Sequence, residues 1–208
     1  MFEIQRQFDD VTRRTGPRTV DAGEARVVGV GQAHETGLQD LWEACTTLER
    51  LPEWFAPVTG DLRLSGRFQI EGNASGTIQS CDPPNGFAAT WEFGGSVSWI
   101  EVRFSTESPR GARLEIEHIA LPDEHWDQFG PGAAGIGWDM AALGLTRYLE
   151  SGQPVDPQAA MEWMGSDEGK RFIQRTGELW READVAAGTD PEAARARAER
   201  TVAFYTGG

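Results

Sequence analysis

The side chains of this 208-residue chain that could do chemistry are three histidines, two cysteines and a run of aromatic rings. His118 stands in "ARLEIEHIAL" in phase with Leu114 and Ile116, so it is expected to point inward with them. An imidazole placed there has three readings: a core histidine bonded to a neighbouring group, a polar anchor for a ligand, or a general base. No Ser, Cys or Asp at motif spacing suggests a triad around it. His34, His118 and His125 are scattered, with no H-x-x-x-H pair and no acidic loop, so no metal and no cofactor is expected. Cys45, in "LWEACTT", reads as a small helix residue without an activating neighbour. Cys45 and Cys81 together lack the spacing of a metal site and the number of a disulfide framework. "GPGAAGIG" at 130–137 has the glycines of a phosphate loop but no following Lys-Ser/Thr. Its glycines are expected to let a helix pack closely.

The aromatic run is "TWEFGGSVSW", residues 90–99. Alternation places Phe87, Ala89, Trp91 and Phe93 on one strand face, and Ile100, Val102 and Phe104 on the matching face of the next strand. That inward set is either ordinary core or the wall of a cavity. Trp91 is the better cavity candidate, because a large ring can bound a void and its indole N–H wants a partner. Trp99 shares the opposite face with Glu101 and Arg103. It is there covered by the tail, buried in a dimer, or partly exposed. Glu101, Glu115 and Glu117, out of phase with the core and near Arg103 and Arg113, read as cross-strand ion pairs on a solvated face. Glu71 and Glu92 end strands and could line a cavity mouth.

These residues need elements to hold them. "RTVDAGEARVVGVGQA" reads as two extended stretches turning at Asp21-Ala22-Gly23. "HETGLQDLWEACTT" opens a helix, with Thr36 and Gln39 as a capping box and Leu38, Leu41, Trp42 and Cys45 on one face. A short second helix is expected in "LERLPEWFA", with Pro52 in its first turn. From Gly60 the period becomes two. Leu62 and Leu64, then Phe68 and Ile70, alternate around a Ser65-Gly66 turn. "SGTIQSCDPP", "GFAATWEF", "VSWIEVRFS" and "ARLEIEHIAL" follow with tight connections and no helix between them, so the sheet is expected to be antiparallel.

"GAAGIGWDMAALGLTRYLES" is the longest helical stretch. It carries two apolar stripes, Ile136, Met140 and Leu143 on one and Trp138, Leu145 and Leu149 on the other, so it is expected to be covered on two sides. The tail offers the second cover. Asp156-Pro157, Ser166 and Asp190-Pro191 read as helix starts. Phe172, Ile173, Leu179, Trp180 and Ala183 repeat at helical spacing up to Gly188, and Ala194, Ala198, Val202 and Tyr205 do so in the last helix. Two units are expected, a domain over 1–152 and a helical extension over 153–208 docked on it.

The net charge is -14, and residues 21–150 carry 20 acidic against 8 basic side chains. Such a surface repels polyanions, and no basic stripe interleaves with aromatics, so no nucleic-acid partner is expected. No apolar run approaches the roughly 20 residues of a membrane span, and "MFEIQRQFDD" lacks the order of a signal peptide. A cytoplasmic protein without membrane insertion is expected.

The layout is α+β: an antiparallel sheet, two short helices after the first core strand and a long helix after the last one, the helix-grip arrangement. "LWEACTTLERLPEWFAPVTGDLRLSGRF", "GTIQSCDPPNGFAATWEF" and "ARLEIEHIAL" resemble the START-like (SRPBCC) superfamily. They resemble most its branch named after the activator of the heat-shock chaperone ATPase. The features carrying the resemblance are Trp54-Phe55, the Gly-rich hairpin, the Pro-containing turn, Trp91-Glu92 and His118, over roughly residues 20–150. The tail looks like an extension carried by a bacterial subgroup. The resemblance implies a sheet gripping the long helix around an apolar cavity. It implies lipid, hormone or polyketide binding, polyketide cyclisation, or service as a chaperone accessory, and fold does not choose among these. The expected function is non-enzymatic binding of a small apolar or aromatic molecule by Trp54, Phe55, Phe68, Trp91, Phe93, His118 and Met140. The alternatives are a polyketide cyclase- or hydrolase-like enzyme with His118 as base, and an interaction protein regulating a chaperone ATPase. A homodimer or protein partner would use the outer sheet face near Trp99.

Overall fold

Residues 4–207 are described by the computed structural model, so the outermost ends of the two expected units lie outside the described residues. Helix α1 (Ile4–Asp10), which no sequence pattern signalled, leads into β1 (Thr12–Val20) and β2 (Gly23–His34). Helix α2 (Leu38–Thr46) and a 3-10 turn (Leu51–Glu53) follow. Then come β3 (Val58–Gly60), β4 (Arg67–Ile70), β5 (Ser75–Asp82), β6 (Gly86–Phe93), β7 (Ser96–Ser108) and β8 (Gly111–Ala120). Helices α3 (Glu124–Phe129), α4 (Gly132–Ser151), α5 (Pro157–Gly165), α6 (Asp167–Ala186) and α7 (Pro191–Thr206) complete the chain. The eight strands form one sheet in the order β1-β2-β8-β7-β6-β5-β4-β3, antiparallel at every pairing.

Two local expectations fail. Leu62 and Leu64 lie in the loop between β3 and β4, and Leu64 is exposed. The alternation there does not find a partner strand, because β4 pairs with residues 58–60 instead. The capping box does not form either. Gly37 is the N-cap of α2, and Thr36 spends its hydroxyl on the Asp40 carboxylate.

Strand phase divides the sheet as expected, except that Glu117, expected on a solvated face, is buried beneath the arginines of β1. Ile100, Val102 and Phe104 on β7 and Leu114 and Ile116 on β8 are buried beneath α2 and α4, in one core with Leu41, Phe68 and Ile78. The opposite face carries Glu101 and Glu117, and Arg103 joins them from the same face. Arg14 and Arg18, on β1, reach across to the same two carboxylates. Trp99 packs on that face against the small cluster of Ala25, Val27 and Ile119, as does Val20. The ring stays half-buried there, the partly exposed one of the three alternatives, beside residues of the chain's own first hairpin.

Helix α4 is covered on both sides. Its Trp138 and Leu145 stripe faces the sheet, and its Ile136 side meets the C-terminal helices. At Gly135 an added Cβ would stand 2.2 Å from the Trp180 ring, so only glycine lets α6 approach this closely. The Asp156, Ser166 and Asp190 side chains cap α5, α6 and α7 as their spacing predicts.

Candidate functional site

Two adjoining spaces lie on the inner face of the sheet, one mainly beneath α2 and the 3-10 turn and the other beside the start of α4. The inner one is a chamber of about 110 Å³ walled by apolar side chains, among them Trp42, Trp54, Phe55, Phe68, Ile100 and Val102. The outer one is a cleft of about 550 Å³, opening between the β6–β7 hairpin, α3 and the start of α4. Phe55, Trp91 and Trp138 line both, so these three rings form the partition. The outer volume lies within the usual range of small-molecule sites, about 300–1,000 Å³.

The floor of the cleft is built by register. Trp91 on β6 stands opposite Ser98 on β7, and Ile100, two residues on, stands opposite His118 on β8. Period two therefore puts Trp91, Ser98 and His118 side by side on the inner face. Trp138 descends from α4 onto them. Its ring centre lies 5.5 Å from that of Trp91 and 6.0 Å from that of His118, and Trp91 and His118 are 5.8 Å apart. Gly94 and Gly95, both with positive φ, make the two-residue turn that lets β6 and β7 pair up to the lip.

Hydrogen bonds set the protonation of His118. The Trp138 indole can only donate, and its Nε1–H gives to His118 Nδ1 at 3.3 Å. The remaining ring proton is then on Nε2, which donates to Ser98 Oγ at 2.8 Å, and the Ser98 hydroxyl donates to the Trp91 carbonyl at 3.1 Å. Burial pushes the imidazole pKa down to about 4, so the ring is neutral near pH 7. Ser98 and His118 are spaced like a nucleophile and its base, yet the proton is on the wrong nitrogen for that work. A base that activates serine needs a free lone pair facing Oγ. The Trp91 indole N–H has no hydrogen-bond partner among the described residues, and its ring lines both spaces.

Of the residues expected to form the site, Trp54 and Phe68 line the chamber, Phe55 and Trp91 line both spaces, and His118 and Phe93 line the cleft. Phe93 keeps its inward phase but is 58% exposed, because it ends β6 at the lip, beside the turn. Met140 lines neither space and packs against the core one turn after Ile136. It stands about 200° around the helix from Trp138, so the two cannot face one cavity. The Trp138 stripe was the one to choose. Ser98, Trp126, Tyr205 and Asp123 were missed as site residues. Ser98 was legible as the residue two before Ile100, whereas Tyr205 reaches the cleft only through the docking of α7.

Cys45 borders the chamber with its thiol pushed up to about 12 by burial, which leaves it protonated and inert as a nucleophile. Glu92 pairs with Arg67 at 2.9 Å on the sheet surface rather than lining the mouth. The cleft has no lysine or arginine among its described lining residues, and Asp123 is its carboxylate.

Similarity to known proteins bears on this architecture. The family model described as activator of Hsp90 ATPase homolog 1-like protein matches residues 35–150. The crystal structure of CalU16 from Micromonospora echinospora is similar at 33% identity, covering 83% of this chain and 97% of its own, with a TM-score of 0.68. Its solution structure gives 34% identity, 86% and 97% coverage, and a TM-score of 0.72. PFC0360w, an HSP90 activator from Plasmodium falciparum, shares the fold at 18% identity over 62% of this chain and 97% of its own, with a TM-score of 0.51. A comparison with curated protein sequences gives no match. With the model spanning the loop before α2 to the end of α4, and CalU16 alike over most of both chains, this chain belongs to the activator of Hsp90 ATPase homolog 1-like family of the START-like (SRPBCC) fold.

Proposed function

We propose that this chain is a non-enzymatic cytoplasmic binding protein that holds a small, neutral, hydrophobic or aromatic molecule between the sheet and α4. The observation that carries the reading is the floor of the outer cleft, where Trp91, Trp138 and a neutral His118 present three rings to one open space. A planar ligand lies against Trp91 and Trp138, and the Trp91 N–H and the Ser98 hydroxyl orient its polar edge. An apolar substituent passes the partition into the chamber. Repulsion from Asp123 and from the net charge of -14 disfavours anionic ligands.

The enzymatic alternative needs His118 as base, and both ring nitrogens are engaged, with the accepting one held by Trp138. A protein partner or homodimer at the outer face has only a half-buried Trp99 to offer, since that ring already packs against the cluster of Ala25, Val27 and Ile119.

N-phenyl-1-naphthylamine, a neutral aromatic probe that brightens in apolar surroundings, tests the reading. Titration into the wild-type protein is expected to saturate at one equivalent, with energy transfer from tryptophan. Trp91→Ala is expected to weaken binding by roughly tenfold, the upper end of what one aromatic contact contributes. No saturable signal from the wild type, or equal affinity in the variant, overturns it.

A further inference from the structure

We propose that the C-terminal helix α7 is part of the ligand site: it clamps the carbonyl end of α3 and so sets how far the mouth of the cleft opens. The inference rests on the ligand reading above only for what passes through that mouth.

Helix α3 forms one wall of the mouth, supplying His125 and Trp126 to the cleft, with its cap Asp123 beside them. It has six residues, none of them buried, between Pro122 and Gly130, which has φ 62°. A helix this short does not hold itself together in water. Its N-terminus is capped by Asp123, which accepts from the Trp126 amide at 2.8 Å. Its last carbonyls have no partner within the helix and must find one outside.

They find it on α7. Arg197 Nε donates to the Asp127 carbonyl at 3.3 Å and Arg200 Nε to Gln128 at 2.7 Å, while the Thr201 hydroxyl shares its one proton between the Phe129 carbonyl at 2.8 Å and the Arg197 carbonyl of its own helix at 2.9 Å. One turn further on, the Tyr205 hydroxyl donates to the Ala133 carbonyl at 2.8 Å, and its ring joins the cleft wall. Cationic side chains at a helix C-terminus are also favoured by the backbone dipoles there. The clamp is itself anchored. Val202 stands where a Cβ on Gly177 of α6 would meet it at 2.4 Å, and Arg197 pairs with the buried Asp184 at 3.5 Å. Arg197, Arg200 and Thr201 are thus positioning residues that act on the ligand site by holding α3, whereas Tyr205 ties α7 to the start of α4 and lines the cleft itself.

The test uses the full chain with Arg200→Gln and Thr201→Val combined, leaving Arg197 and its ion pair intact. Two readouts are taken, the dissociation rate of N-phenyl-1-naphthylamine by stopped flow and amide hydrogen exchange at Trp126, Asp127 and Gly130. Both are expected to rise by roughly 3- to 10-fold, the size of one or two lost hydrogen bonds, while exchange in β7 and β8 stays unchanged. Arg200→Lys with Thr201→Ser keeps both donors and is expected to stay within about twofold of wild type. Unchanged exchange in α3 overturns the clamp, whether or not the probe binds. Faster exchange with an unchanged probe rate overturns control of the mouth. If the probe does not bind the wild type at all, the ligand reading falls, and faster exchange in α3 still supports the clamp.

Discussion

Asp139→Ala is expected to lower the unfolding free energy by about 3–5 kcal/mol, the range for removing one partner of a buried ion pair. Asp139 is fully buried on α4, and its carboxylate is where three parts of the chain meet. Arg13 of β1 donates to it through Nε at 3.0 Å and Nη2 at 2.6 Å, and Trp180 of α6 donates through its indole at 2.7 Å. The Arg13 side chain is only 5% exposed and spends Nη1 on the Phe8 and Val11 carbonyls. Alanine leaves that guanidinium charged, buried and unpaired, and strips Trp180 of its acceptor. Urea unfolding checks the magnitude. Two companions separate charge from packing. Asp139→Asn keeps an acceptor for Trp180 and is expected to lose less. Arg13→Met with Asp139→Leu removes both charges and is expected to recover most of the loss. A single alanine variant within about 1 kcal/mol of wild type would mean that the pair contributes nothing beyond a surface one.

That site shows where sequence reading stops. On α4 the apolar stripes were legible, because period 3.6 forces Trp138 and Ile136 to opposite neighbours. The role of Asp139 was not, since nothing local reveals that Arg13, 126 positions earlier, folds onto it. The sheet was legible for the same reason as the stripes. Burial on one face imposes alternation, and Ile100, Val102 and Phe104 obey it. The loop at 61–66 alternates too but has no partner strand, so its pattern misled. At the site, local phase brought Trp91 and His118 inward correctly. It could not show that Trp138 would donate to Nδ1, because tautomer depends on a helix that approaches from another part of the chain. The Met140 error has the same root: both stripes of α4 are apolar, and only the docked α6 and α7 tell which one faces the sheet. Similarly, Tyr205 reads as a helix-face aromatic until α7 is laid against α3.

Acidification is expected to destabilise the folded protein between about pH 6.5 and pH 4, and two buried histidines are expected to dominate the effect. Burial holds His34 and His118 at about 4, below the ordinary imidazole value. In that window the unfolded chain binds protons on these rings that the folded chain refuses, so stability rises with pH and falls as pH drops. Above about pH 7 both states are neutral and the contribution vanishes. The full shift corresponds to on the order of 3 kcal/mol per ring. His34 approaches that limit, being 7% exposed with Nε2 lacking a partner among the described residues, so a proton added there finds no acceptor among them. His118 contributes less, because it borders the cleft and water there screens its charge. Burial also raises the Asp139 carboxyl despite Arg13, an opposing contribution that substitutions at the histidines leave in place. Urea midpoints for wild type, His34→Gln, His118→Asn and the double variant, compared at about pH 5 and pH 7.5, isolate the two rings. The double variant is expected to lose much of the pH slope, with His34→Gln removing the larger part. A wild-type slope no steeper than that of the double variant would sink the argument. The same chemistry reaches the ligand site. A protonated His118 can no longer accept from Trp138, so the ring floor holds its geometry only while the imidazole is neutral, and probe binding should fail in acid before the fold does.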